Sequence, residues 1–409
     1  MASTIAALTS GAGGISMTGD ASGILNLNSN GTNVVAVTST GVAVTGTLSA
    51  SNGISVANTF GFKNRIINGG MVIDQRNAGA SVTPVDQQYL VDRWTARLSQ
   101  SSKFSAQQNA GSVTPPAGFT NYQGITSSSA YSVGASDYFL LRQIIEGYNV
   151  ADLSWGTANA KTVTLSFQVY SSLTGAFGGS LQNSASNRSY PFTYTVSSAN
   201  TWTPVSVTVA GDTSGTWATN NTAGIILNFG LGVGSTFSGT AGSWAGPNYL
   251  GATGAVSVVG TSGATFYITG VQLEKGSTAT SFDFRAYSTE LEMCQRYLPA
   301  FNAPGGAEGL ISAGQSANAT VAANTILFPV STRVPPTGIS SPAATKFKVL
   351  FAVTEQAGTA IAFSSRATTL SAQVNLTVAS GLTAGQALSL AWGTTSTSTD
   401  VLYFTGCEL

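Results

Sequence analysis

The chain has 409 residues, and only 8% are charged, with 16 Lys and Arg balanced by 16 Asp and Glu. A soluble domain ordinarily carries about 25%, and zero net charge leaves no electrostatic footprint for nucleic acid or an anionic membrane. Histidine is absent, which removes the commonest general base, the Ser–His and Cys–His nucleophile pairs and most zinc sites.

The length is too great for one ordinary core and predicts two or three domains. No apolar run reaches the roughly 18 residues of a membrane-spanning helix, so no membrane insertion is expected. The opening "MASTIAALTSGAGG" lacks a basic n-region and does not read as a secretory signal.

Residues 20–53, within an N-terminal segment 1–60, carry a repeat. "GILNLNSNG", "TNVVAVTSTG" and "VAVTGTLSASNG" are short β runs closed by Gly31, Gly41 and Gly53. Ile24, Leu25 and Leu27, then Val34, Val35 and Val37, then Val42 and Val44 form the apolar side. The spacing suits short strands. One copy cannot bury such a face, whereas three chains around one axis can. The segment is therefore expected to be a trimeric β-rich stem rather than a disordered linker.

Residues 61–286 predict many short strands bounded by Gly, Asn, Ser or Pro, among them "YLVDRWTARLS", "YFLLRQIIE", "GIILNFGLG" and "TFYITGVQLE". In "TVTLSFQVY", Val163, Leu165, Phe167 and Val169 face one way and polar residues the other. This pattern predicts a jelly-roll β-sandwich. One helix is expected, linking domains over 287–299. Thr289 and Glu292 form a capping box, Leu291, Cys294 and Leu298 share a face, and Pro299 ends it. Residues 300–409 return to strands and predict a smaller β-sandwich. The fold class is all-β. Cys294 and Cys407, far apart in sequence, are expected to be reduced and buried.

Charge concentrates in two clusters, Lys63 to Lys103 and "EKGSTATSFDFR" ending at Arg285. They are expected to meet where the first and last strands lie side by side. A catalytic pair, Asp74 with Asp86 or Asp92, lacks the acid-rich surroundings that would separate two pKa values, so no catalytic residue is assigned. No cofactor or metal is expected.

Aromatic residues are the remaining candidates. Trp94, Trp155 and Trp202 sit at strand edges and read as core. Trp244 and Tyr249 in "GTAGSWAGPNYLG", Trp217 in "GDTSGTWATNN", and Phe119 and Tyr122 in "PPAGFTNYQG" lie in Gly-rich loops. Such rings either stack on the apolar faces of a sugar or fold back as lids on the core. On the first reading, removing the Trp244 ring lowers adsorption and spares the melting transition. On the second, the structure suffers.

"NRIINGGMVIDQRN", "DRW", "LLRQIIEG", "TVTLSFQVYSS", "TWTPVSVTV", "VQLEKGSTATSFDFR" and "ELEMCQRYL" occur here in an order that resembles bacteriophage tail-fibre and receptor-binding proteins. The resemblance covers residues 62–300. "FPVSTRVPPT" and the ending "FTGCEL" look like the C-terminal module of the same class, and the N-terminal repeat resembles fibre proteins of marine phages. More loosely, the central domain is similar to jelly-roll carbohydrate-binding modules. The resemblance implies virion localisation, a homotrimer and surface recognition. Residues 1–60 would attach to the phage tail or other virion proteins. The distal modules would meet a host surface polysaccharide or lipopolysaccharide without cleaving it. The alternatives are a depolymerising tailspike and a structural head fibre or connector.

Overall fold

The computed structural model describes residues 25–29, 32–38, 41–44, 63–352 and 354–409. The chain divides into two compact units, Met1–Thr59 and Phe60–Leu409. In the first, β1 (Leu25–Ser29), β2 (Thr32–Thr38) and β3 (Gly41–Val44) pair antiparallel in that order. Leu27 lies opposite Val35, and Val37 opposite Val42. The three expected β runs are present, paired within one chain. Gly41 opens β3 instead of turning the chain, and Gly53 lies outside the described residues.

The second unit begins with a sandwich of two five-stranded sheets. Its strands are β4 (Trp94–Leu98), β5 (Phe104–Gln108), β6 (Gln123–Ser127), β7 (Tyr138–Glu146), β8 (Val163–Ser171), β9 (Gly175–Gln182), β10 (Ser189–Val196), β11 (Thr203–Val209), β12 (Ala223–Val233), the two-residue pair β13 (Ser238–Gly239) and β14 (Gly251–Ala252), and β15 (Thr265–Lys275). One sheet runs β10-β9-β12-β7-β4 and the other β11-β8-β15-β6-β5. In β8, Val163, Leu165, Phe167 and Val169 are buried, while Ser166 and Gln168 are only half-buried. The period-two pattern thus sets which face meets the core. That core holds Trp94, Phe139, Phe177, Phe192, Phe229 and Phe266, all at most 1% exposed. This is the jelly-roll sandwich expected from the sequence.

The segment after Lys63 runs beside β15. Arg65 N donates to Leu273 O at 2.9 Å, and Val271 N to Gly69 O at 3.0 Å. A Cβ on Gly69 would lie 2.1 Å from Val271 O, so only glycine permits this approach. Asn68, at φ +56°, is fully buried. Its amide donates to Ile73 O and Asp92 O and accepts from Ile73 N, while its backbone carbonyl receives Trp94 Nε1. The two charge clusters do meet here. Arg65 and Lys275 share Asp152 at 2.9 and 3.4 Å, and Arg285 reaches the Asn64 and Ile66 carbonyls.

Helix α1 (Tyr287–Gln295) starts before the expected cap. Ala286 is the N-cap, no side chain caps it, and Thr289 lies inside the helix. Glu290 instead accepts from Asn68 N and pairs with Arg285, which ties the first turn to the sandwich. Cys294 packs with Ile67, Ile73 and Tyr297, against which Leu291 also lies. Both cysteines are free and buried.

The C-terminal strands are β16 (Ala300–Asn302), β17 (Gly309–Ser316), β18 (Val321–Leu327), β19 (Gly338–Ser340), β20 (Phe347–Phe351), β21 (Thr354–Ala367), β22 (Ser371–Val378), β23 (Ala387–Trp392) and β24 (Val401–Thr405). The expected smaller sandwich takes the form of a closed barrel, β17-β18-β22-β21-β20-β23, with a separate sheet β16-β24-β19. Closure comes from β21. Its start pairs with β20, the rest pairs with β22, and irregularities at Gly358–Ala360 and Phe363–Ala367 bend it. Phe347 and Trp392 stack at 4.4 Å inside. The chain end returns to the sandwich. Glu408 pairs with Arg76, Tyr89 Oη donates to Leu409 O at 2.8 Å, and Arg333 donates to the Cys407 and Glu408 carbonyls. Burial pushes the Glu408 carboxyl up to about 6. Among the described residues, no helix is long and apolar enough to cross a membrane.

Candidate functional site

Four of the five loop aromatics face inward or are engaged by backbone. Trp217 is 8% exposed and packs edge-on to Trp155 and Trp244 at 4.7 and 5.4 Å. Trp244 is half-buried, meets Tyr190 at 5.2 Å and donates Nε1–H to Ala210 O at 2.7 Å. Trp155 and Trp217 likewise donate their indole N–H groups to Lys161 O and Ser214 O. Each indole thus has a hydrogen-bond partner that fixes its edge, and the three rings close on one another. Tyr249 lies over Gly239, where a Cβ would clash with its ring at 2.2 Å. Tyr122 is fully buried. Its hydroxyl donates to Ala110 O and accepts from Val113 N, and its ring stacks on Tyr267 at 5.1 Å. Burial pushes the Tyr122 phenol up, so it stays a donor. Trp217 and Tyr122 therefore offer a ligand no face, because the sandwich core covers them.

Phe119 differs. It forms an open trio with Phe282 and Phe284, the centroids 4.8–5.3 Å apart. Phe284 is 63% exposed. The trio exists because β15 breaks register between Thr269 and Gln272. Gly270 there has φ +63°, and a Cβ on it would come within 2.6 Å of the Phe119 ring. The bulge lets the 115–120 loop settle onto the sheet. Phe282 and Phe284 arrive from the segment after β15.

Between these rings and the outer surface of β8 and β11 lies a groove of about 450 Å³, within the roughly 300–1,000 Å³ usual for ligand sites. Its floor is Ser166 and Gln168 of β8 beside Ser206 and Pro204 of β11, directly paired across the strands. Thr280 and Ser281 line the far side. Ser166, Gln168, Ser206 and Ser281 make no side-chain hydrogen bond to any described residue, whereas Thr280 is held by Glu274 at 2.6 Å. A second hollow of about 240 Å³ adjoins it under Phe284, with Val72, Arg285, Tyr287 and Glu290 in its wall. The arrangement offers flat apolar rings opposite unengaged hydroxyls and an amide.

The acids weighed as a catalytic pair are engaged elsewhere. Asp74 accepts from Gly79 N and Asn77 N, Asp92 from Gln75 N and Nε2, and Asp86 pairs with Arg97. Burial pushes Asp74 and Asp92 upward. Among the described residues, no group of three or more His, Cys, Asp or Glu is placed to hold a metal. Sequence reasoning reached Phe119 but missed Phe282 and Phe284. Their signal was available in "SFDFR", where two phenylalanines two apart share one side of an extended segment.

No protein-family description matches the sequence, and no curated protein matches it. Solved structures do. The enzymatically active domain of a tailspike protein from bacteriophage CBA120 is 10% identical over 52% of this chain, with a TM-score of 0.29. The match spans 21% of that tailspike chain. A family 11 carbohydrate-binding module from Clostridium thermocellum is 11% identical over 49% of this chain and 98% of its own, at TM-score 0.25. A family 61 carbohydrate-binding module, solved with β-1,4-galactotriose, is 10% identical over 52% of this chain and 99% of its own, at TM-score 0.27.

Proposed function

We propose that this chain is a phage fibre protein that holds a glycan on the host surface without cutting it. The observation that carries the glycan reading is the groove in which Phe119, Phe282 and Phe284 face the free side chains of Ser166, Gln168 and Ser206. A flat ring covers the C–H face of a sugar, and an amide with two hydroxyls satisfies its polar edge. The assignment to a virion rests on the ordered motifs of residues 62–300, the homotrimer also on the short apolar β runs of residues 20–53, and the attachment through residues 1–60 on the resemblance of that repeat to fibre proteins. The non-cleaving reading rests on the sequence, in which histidine is absent and only 16 residues are Asp or Glu.

Purified protein mixed with host surface polysaccharide tests this reading. Co-sedimentation with unchanged polymer length is expected. Shortening of the polymer would make the chain a depolymerase. Light scattering is expected to give three times the chain mass of 41.5 kDa, and a monomer at micromolar concentration would remove the trimer. Labelled antibody on intact particles is expected to mark the tail rather than the head.

A further inference from the structure

We infer that the groove takes a neutral glycan and turns away acidic ones; this rests on the glycan reading above and specifies its ligand class. The inference comes from the charges around the rings. In the larger part of the groove every polar lining group is uncharged: Ser166, Gln168, Ser206, Thr280 and Ser281. In the adjoining hollow, the only cationic lining residue is Arg285. Its guanidinium is fully committed to the fold. It donates to the Ile66 and Asn64 carbonyls, sits 3.3 Å from Glu290 and 3.8 Å from Asp283. Glu290 in turn accepts from Asn68 N, and Asp283 from Asn64 N at 3.3 Å. Lys63, close by in the fold, donates to Ser281 O.

A uronate or sialate carboxylate in this groove would lie against phenyl rings with no cation in the lining of its larger part; Lys63, outside that lining, is directed to the Ser281 carbonyl. Desolvating an unpaired carboxylate is strongly unfavourable. Glu290, in the wall of the adjoining hollow, is matched by Arg285 and brings no further positive charge to the groove. Neutral hydroxyls meet no such barrier, because the Gln168 amide both donates and accepts and each serine does the same. Arg285 holds the segment that carries Phe282 and Phe284 and is therefore a positioning residue.

The test is the full chain on a glycan array carrying neutral, uronate-containing and sialylated chains, read at low salt and at 1 M salt, where the Debye length is about 3 Å. Neutral chains are expected to bind at least about tenfold better than any acidic chain, a gap of ~1.4 kcal/mol. That binding is expected to change less than about twofold between the two salt concentrations. Gln168→Ala and Phe284→Ala, both at solvent-accessible positions, are expected to weaken it by severalfold while the melting curve stays in place. Preference for acidic chains that fades in 1 M salt would overturn the inference and leave the glycan reading standing, provided Phe284→Ala still weakens binding. Binding unaffected by both variants would move the ligand off this groove. No binding anywhere on the array would overturn the glycan reading itself.

Discussion

Two groups of three aromatic rings sit on the same sandwich and behave oppositely. Trp155, Trp217 and Trp244 close edge-to-face at 4.7–5.4 Å. Phe119, Phe282 and Phe284 pack at similar distances, 4.8–5.3 Å, yet leave a face open. Ring spacing does not separate them. The difference is the polar handle. Each indole N–H finds a backbone carbonyl, which anchors the ring's edge toward the protein. A phenyl ring has no such handle. Its position is set by what lies beneath, here the Gly270 bulge, and nothing draws its outer face inward. A loop tryptophan with a carbonyl in reach is therefore a fastener, and a loop phenylalanine over a bulge is a surface.

The sharpest break of this contrast is Trp217→Ala. Loss of a nearly buried indole is expected to cost about 3–5 kcal/mol, read as a lower urea midpoint with unchanged m-value. A variant as stable as the parent would dissolve the closed group. Trp244→Ala comes next, at about 1–3 kcal/mol, since its ring is half-buried; a drop in Tm with intact binding per folded molecule is expected. That is the second of the two outcomes set out for this residue from the sequence. Phe119→Ala should act on the ligand, weakening glycan binding about tenfold, or ~1.4 kcal/mol, by titration calorimetry. Trp244→Phe keeps an aromatic ring but removes the bond to Ala210 O and part of the indole's packing volume. Loss of that bond is expected to cost about 0.5–1.5 kcal/mol, read as a urea midpoint between those of the parent and Trp244→Ala. Phe284→Ala should be smallest, within about 0.5 kcal/mol in denaturant.

The sandwich was legible because several of its strands alternate, even though β12 and β15 are buried on both faces. In β8, burial follows the period-two reading residue by residue at Val163, Leu165, Phe167 and Val169. The meeting of the two charge clusters was legible too, from their places at the first and last strands. Closure of the C-terminal barrel was not, because it depends on how β21 divides its pairing between β20 and β22, and strand composition does not encode partners. The helix start was misplaced because Glu290 found a tertiary donor in Asn68, which local capping rules do not contain. For the site, Gly-rich context marked the right loops but could not tell which rings fold back. Trp217 found a carbonyl three residues away and Tyr122 one twelve residues away. Phe119 was legible as a candidate only, since its exposure depends on Gly270, some 150 positions later in the chain.

The anchoring of the Lys63–Arg76 segment has a bearing on the order of events during synthesis. Asn68 waits for Glu290, 222 positions later, and Arg76 for Glu408, 332 positions later. At about 5–20 residues per second, the first interval lasts roughly 10–45 s. Through that time the emerging chain holds Asn68 and its neighbours without their final partners. The sandwich therefore cannot seal stepwise from its leading edge, and the Arg76 contact with Glu408 has to wait longer still.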